Sequence, residues 1–225
     1  MSWIKAMTFR GICIPTIVCM LLSACANHSG RLACETGNWS AWGYEDGAAG
    51  LDRSAFKKRK DPCKSEQIDE SAYVAGWNRG IVYYCKPEKG FEAGLSDEKY
   101  RDVCQGKAEE VFLAEYRLGQ RYLKMAETRD LLTEQASEAR SSLSRHRNGI
   151  RMARKRYENP NLSGDERYSA RLNLDYHQRE IDGLLVRMPK LQAKRKETIE
   201  ALEAMEADLV SSGRINSETK IPSRK

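Results

Sequence analysis

Two stretches of the chain carry apolar residues at alternating steps of four and three. In the first, Leu118, Tyr122, Met125, Leu132, Ala136, Ala139, Leu143, His146, Ile150, Ala153 and Tyr157 follow the rule, and Arg129 breaks it. In the second, Leu174, His177, Ile181, Leu184, Met188, Leu191, Leu202, Met205 and Leu209 follow it, with Arg195 and Thr198 as weak links. This is the apolar seam of a coiled coil. Between the stretches, "YENPNLSGDE" (157–166) holds Pro160 and Gly164, the strongest turn signal in this half; Asn148-Gly149 is a weaker one, because the periodicity runs through it. Folding the chain at the break sets Ile150 opposite Leu174, Leu143 opposite Ile181, Ala136 opposite Met188 and Tyr122 opposite Leu202. It also sets Arg129 against Arg195, an unfavourable match. An arm of about 45 residues is about 65–70 Å long, and Pro189 is expected to kink the second arm. The pattern predicts an all-α chain with a long antiparallel coiled-coil hairpin over 111–211. Residues 212–225 have no periodicity and are expected to form a disordered tail.

Upstream the pattern changes. Residues 34–110 are rich in glycine and aromatic residues. "WSAWGYEDGAAG" (39–50) reads as a helix, yet it carries Gly43, Gly47 and Gly50. A glycine inside a helix costs up to about 1 kcal/mol relative to alanine. Ala72, Gly76 and Gly80 repeat the four-residue step, and Gly90 and Gly94 repeat it again. A face without side chains lets another backbone approach closely, as in small-xxx-small helix pairs. Recurrence of the spacing favours helices packed through these faces, with Trp39, Trp42, Trp77, Tyr73, Tyr83 and Tyr84 around them. The competing reading is an irregular domain with turn glycines, for which Asp46-Gly47 is a turn dipeptide.

The N-terminus reads as a targeting segment. Lys5 and Arg10 precede the apolar run "GICIPTIVCMLL" (11–22), which at about 12 residues is too short to span a bilayer as a helix. The run ends in Leu22-Ser23-Ala24-Cys25. The whole resembles a bacterial lipoprotein signal. That resemblance implies removal of residues 1–24 and lipidation of Cys25, with palmitate-type acyl chains anchoring the protein in the membrane. Ala26 follows the cysteine in place of the aspartate linked to inner-membrane retention, so the periplasmic face of the outer membrane is the expected address. Residues 25–33 form a tether.

Removing the signal takes Cys13 and Cys19 with it, and lipid takes Cys25. Cys34, Cys63, Cys85 and Cys104 remain, an even number for an oxidising compartment, so two disulfides are expected. A metal site is disfavoured: no CxxC pair exists and no histidine lies among the four. If a first helix runs over about 39–58, Cys34 and Cys63 lie at opposite ends of about 30 Å of helix. An antiparallel partner over about 70–84 returns Cys85 to Cys34 and leaves Cys63 with Cys104. Pairing Cys34 with Cys63 and Cys85 with Cys104 is the alternative, and it requires a shorter first helix.

The motif order then becomes specific: W-x-x-W-G-x-x-D-G-x-x-G from Trp39 to Gly50, Cys63, Y-x-x-G-W-x-x-G-x-x-x-Y-C from Tyr73 to Cys85, G-F-x-x-G, and Y-x-x-V-C ending at Cys104. Over about 34–125 this resembles the uncharacterised glycine-rich, four-cysteine domain of proteobacterial envelope lipoproteins, a domain-of-unknown-function family. The resemblance implies an envelope lipoprotein and brings no known activity.

Charge and chemistry narrow the function further. Without the signal the chain holds 36 Lys and Arg against 32 Asp and Glu, a net charge of about +4. The periplasmic address argues against nucleic acid as a partner. No nucleophile elbow, phosphate loop or zinc motif is present, and no catalytic residue or cofactor is expected. Asp46, beside the glycine face and Trp42, is the most suggestive carboxylate; a structural hydrogen bond or helix cap is its expected role. His146 and His177 fall at one level of the seam, where a buried polar layer that sets register is expected and a metal or pH-sensing pair is the sharper reading. Arg145, Arg147, Arg151, Arg154, Lys155 and Arg156 form an acid-free cluster beside the expected hairpin tip. They suit an anionic cell-wall polymer or an acidic envelope protein; the plainer reading pairs them with Glu158, Asp165, Glu166, Asp175 and Glu180. The expectation is a non-enzymatic adaptor or structural lipoprotein. A small-ligand or enzymatic site in the glycine–tryptophan domain is the alternative.

Overall fold

The computed structural model describes residues 34, 37–64, 68–216 and 221. The lipidation site Cys25 and the signal segment lie outside the described residues. Among the described residues six helices are bounded, in order: α1 Trp39–Ala48, α2 Ala55–Lys60, α3 Glu70–Tyr84, α4 Pro87–Leu95, α5 Gly106–Tyr157 and α6 Gly164–Ser211. No strand occurs among the described residues. The chain divides into two compact units. One holds the described residues up to Lys89 with Tyr100–Glu110; the other holds Gly90–Lys99 with Val111 onward. Gly90–Lys99, expected with the cysteine-rich domain, therefore clusters with the hairpin half.

In the first unit α1 and α3 cross through their glycines. A Cβ on Gly43 would fall on the Tyr73 carbonyl and lie 2.8 Å from the Trp77 nitrogen; one on Gly47 would fall on the Trp77 carbonyl. The relation is reciprocal, since Gly76 faces the Ser40 carbonyl and Gly80 the Tyr44 carbonyl. Each glycine thus meets the carbonyl three residues before the opposing glycine. Aromatic rings close the flanks. Trp39 is edge-on to Trp42 at 5.0 Å and to Phe56 at 5.7 Å, and Phe56 lies 4.8 Å from Tyr73. Gly50 does not share the face. It has φ 65° and ends α1, with Leu51 donating to the Asp46 carbonyl at 2.9 Å and Gly50 to the Gly47 carbonyl at 3.0 Å, a Schellman closure.

These contacts advance together along both helices, so α1 and α3 run parallel. The antiparallel arrangement expected from sequence is corrected here, and with it the disulfides. The bridges are Cys34–Cys63 and Cys85–Cys104, with Cα separations of 5.5 and 5.7 Å. Pairing Cys34 with Cys85 and Cys63 with Cys104 fails for a topological reason. Parallel neighbours force the chain to travel back from the end of α1 to the start of α3, and that return brings Cys63 to Cys34. The first helix is also only 10 residues long, as the observed pairing requires.

The second unit repeats the device. Gly90 faces the Phe112 carbonyl, Gly94 the Tyr116 carbonyl and Gly119 the Phe91 carbonyl, so α4 and the start of this unit's α5 segment also run parallel. Three of the four positions are glycine; the fourth, by the same three-residue offset, is Glu115. In each pair a cysteine precedes each helix: Cys34 before α1 and Cys63 before α3, then Cys85 before α4 and Cys104 before α5.

Beyond this crossing α5 and α6 form the antiparallel hairpin. Every seam residue expected from sequence is at least half-buried except Tyr157, whose exposure reaches 37%. The turn lies where Pro160 and Gly164 place it. Ser163 caps α6 in a capping box with Glu166, and Arg167 donates to the Tyr157 carbonyl at 3.1 Å, at the end of α5. Helix continues through Asn148-Gly149, and α6 also runs through Pro189. Near the tip His146 meets His177, as expected. Near the base Tyr122 and Leu202 share one buried cluster, and the Tyr122 hydroxyl reaches on to Glu206, donating at 3.1 Å. The expected Arg129–Arg195 clash is relieved because the two long side chains reach other partners. Arg129 pairs with Asp130 at 2.9 Å, and Arg195 donates to Thr133 at 3.0 Å.

The tail expected to be disordered contributes to the hairpin base. Ile215 is buried with Phe91, Tyr122, Ala126, Leu202 and Leu209, and Ile221 packs against the same cluster. The Ile221 backbone donates to the Tyr122 hydroxyl at 3.0 Å and accepts from Arg129 at 3.3 Å. Two isoleucines without periodicity are enough to cap an open hydrophobic end.

Candidate functional site

Asp46 is buried on α1 and fully engaged. Arg59 of α2 donates to both of its oxygens, at 2.7 Å from Nη2 and 3.2 Å from Nε, and the Tyr73 hydroxyl donates at 2.8 Å. The hydrogen bond to Asp46 holds the Arg59 guanidinium above its ordinary range. Burial, then the same carboxylate, pushes the Tyr73 phenol up. Arg59 also stacks 5.5 Å from the Trp42 ring centroid. A carboxylate held by three donors is a strut between α1, α2 and α3. Sequence reasoning picked out Asp46 but missed Arg59, whose place thirteen residues away carries no local signal. Tyr73 lay in the quoted motif as a flank of the glycine face.

The six basic residues of the tip are all exposed. None lies within 4.0 Å of a carboxylate among the described residues, so the local pairing with Glu158, Asp165, Glu166, Asp175 and Glu180 does not form. Arg156 acts on Glu166 only through its longer-range field. Arg154, Lys155 and Arg156 occupy the last turn of α5, where positive charge complements the helix dipole.

At the seam, His146 Nδ1 and His177 Nδ1 lie 3.0 Å apart, with the rings inclined at 64°. Tyr176, which sequence reasoning did not single out, is edge-on to His146 at 5.8 Å and tilted against His177 at 5.1 Å. A Cβ on Gly149 would lie 2.6 Å from His177 Cδ2 and closer still to Cε1 and Nε2. Gly149 therefore makes room for the imidazole and marks no turn.

No group of three or more His, Cys, Asp or Glu that could hold a metal occurs among the described residues. No helix among them is long and apolar enough to cross a membrane. Comparison with curated proteins and with solved structures finds no match to the chain. Residues 38–121, which enclose both glycine crossings and stop two residues past Gly119, match the model of a family described as "Protein of unknown function (DUF2799)".

Proposed function

We propose that the protein is a non-enzymatic adaptor of the bacterial envelope, anchored through lipidated Cys25 at the periplasmic face of the outer membrane. The hairpin tip binds an acidic surface, either an envelope protein or an anionic cell-wall polymer. One observation carries the reading: six exposed cations lie at the tip with no carboxylate in ion-pair range among the described residues. Unneutralised like charges on one short stretch repel each other and gain from an anionic partner. The alternative, a ligand or enzymatic site in the glycine–tryptophan unit, is less favoured, because Asp46 is buried and held by Arg59 and Tyr73.

The test is photocrosslinking in intact cells from a probe at Arg147 or Arg151. A discrete adduct, lost when Arg145, Arg154 and Arg156 become glutamate, supports the adaptor. Equal adducts from the charge-reversed chain, or an activity that survives deletion of 145–166 and fails with Asp46→Ala, defeat it.

A further inference from the structure

The histidine pair asks for an explanation that the adaptor reading does not supply. Apolar residues surround its layer in the seam, with Leu143 and Ile150 on α5 and Leu174 and Ile181 on α6. A leucine pair would pack there at no polar cost. The chain instead places two imidazoles nitrogen to nitrogen and accepts a glycine inside α5 to seat one of them, at about 1 kcal/mol. Packing against Tyr176 holds both rings in orientation.

We propose that His146 and His177 form a two-imidazole clamp for a borderline first-row divalent cation, of the class Zn2+, Cu2+ or Ni2+. The geometry carries it. Imidazole nitrogens sit about 2.0–2.1 Å from such a metal, so two of them on a tetrahedral ion lie about 3.3 Å apart. The Nδ1 atoms already stand 3.0 Å apart with the rings inclined at 64°, so a few tenths of an ångström of separation admits the ion. Without metal, one Nδ1 carries the proton of the shared hydrogen bond. With metal, that proton resides on the same ring's Nε2, both rings stay neutral, and both Nδ1 lone pairs point at the cation. Imidazole ligands favour this metal class over Mg2+ or Ca2+. Water fills the remaining positions, which makes the ion exchangeable. Arg145 and Arg147 flank the pair in sequence and are exposed, and their positive field holds the affinity down. The bound ion ties α5 to α6 across the seam near the tip.

The experiment uses the full chain purified from cells, titrated with CuSO4 or ZnCl2, with MgCl2 as the control. One Cu2+ per chain is expected, with an electron paramagnetic resonance spectrum showing nitrogen coupling from two imidazoles. His146→Gln and His177→Gln should each weaken binding about tenfold or more, through loss of one of two protein ligands. His28→Gln should leave it unchanged. Gly149→Ala, which keeps both histidines but displaces the His177 ring, should weaken it too, and far-UV circular dichroism checks that the helices persist. Copper binding that survives His177→Gln with its two-nitrogen signature, or that depends on His28, overturns the clamp. So does the absence of binding below millimolar metal.

Discussion

The glycine crossings and the hairpin seam solve one problem, joining two helices, in opposite ways. The α1–α3 crossing sets backbone against backbone, in parallel, with carbonyls occupying the space of missing side chains. The α5–α6 seam sets side chain against side chain, in antiparallel, through buried and half-buried residues. The crossing gains close contact and gives up adjustability. The seam can absorb a misfit such as Arg129 by moving long side chains, whereas Gly43 has nothing to move. Disulfides belong with the rigid solution, because a small domain needs its return segments held.

Selective damage sharpens the contrast. Trp39, Trp42 and Trp77 all report on the first unit, whereas helical ellipticity is dominated by α5 and α6. Reducing both bridges should have the largest effect. Loops closing 29 and 19 residues are worth about 3–4 kcal/mol each in the chain-entropy picture. Tryptophan emission should lose its native form at a much lower urea concentration, with the ellipticity transition moving far less. If both move equally, the two regions are one cooperative body and the comparison fails. Asp46→Ala comes next, at about 3–4 kcal/mol, because it leaves the buried Tyr73 hydroxyl without its acceptor and Arg59 with only Glu45; urea titration by tryptophan fluorescence measures it. Gly43→Ala should cost about 3 kcal/mol, since its methyl meets a carbonyl that cannot yield without separating the helices. The same technique on Leu143→Ala, in the half-buried seam, should show about 1–2 kcal/mol. A Gly43→Ala chain as stable as its parent would break the argument about close backbone contact.

Two smaller effects depend on pH. Burial pushes the Tyr100 phenol from 10.0 to about 12, and Tyr73 is raised as well. The unfolded chain therefore loses these protons first. The stability they contribute is complete below pH 10 and falls as pH rises towards 12, by about 1 kcal/mol after screening. Urea midpoints at pH 9 and pH 11 measure the fall. The smallest effect is Glu115→Gln. Arg214 holds the Glu115 carboxyl below its ordinary 4.5, so the contribution is present above that pH and lost as pH falls. At this largely solvated site the substitution should cost under about 1 kcal/mol at neutral pH, read from the ellipticity midpoint.

Much of this contrast is legible along the chain. The heptad steps predicted the hairpin and its turn, because a seam is a periodic feature and sequence records periods. The glycine spacing predicted close contact for the same reason. Direction was not legible: GxxxG faces fit parallel and antiparallel partners alike, and the wrong choice carried the wrong disulfides with it. Gly50 looked like a third face residue because its spacing fitted; only its φ of 65° shows it to be a terminator. Gly119 was hidden because its partner set contains Glu115 where a fourth glycine would complete the pattern. Arg59, Tyr176 and Ile221 act through tertiary contact alone.

The order of the bridges has a consequence for biogenesis. Each of the four structural cysteines is joined to its next neighbour along the chain, Cys34 to Cys63 and Cys85 to Cys104. A polypeptide threaded N-terminus first into an oxidising compartment meets its correct mate before any competitor emerges. Under the proposed export, this order favours the native pairs without a disulfide-shuffling helper.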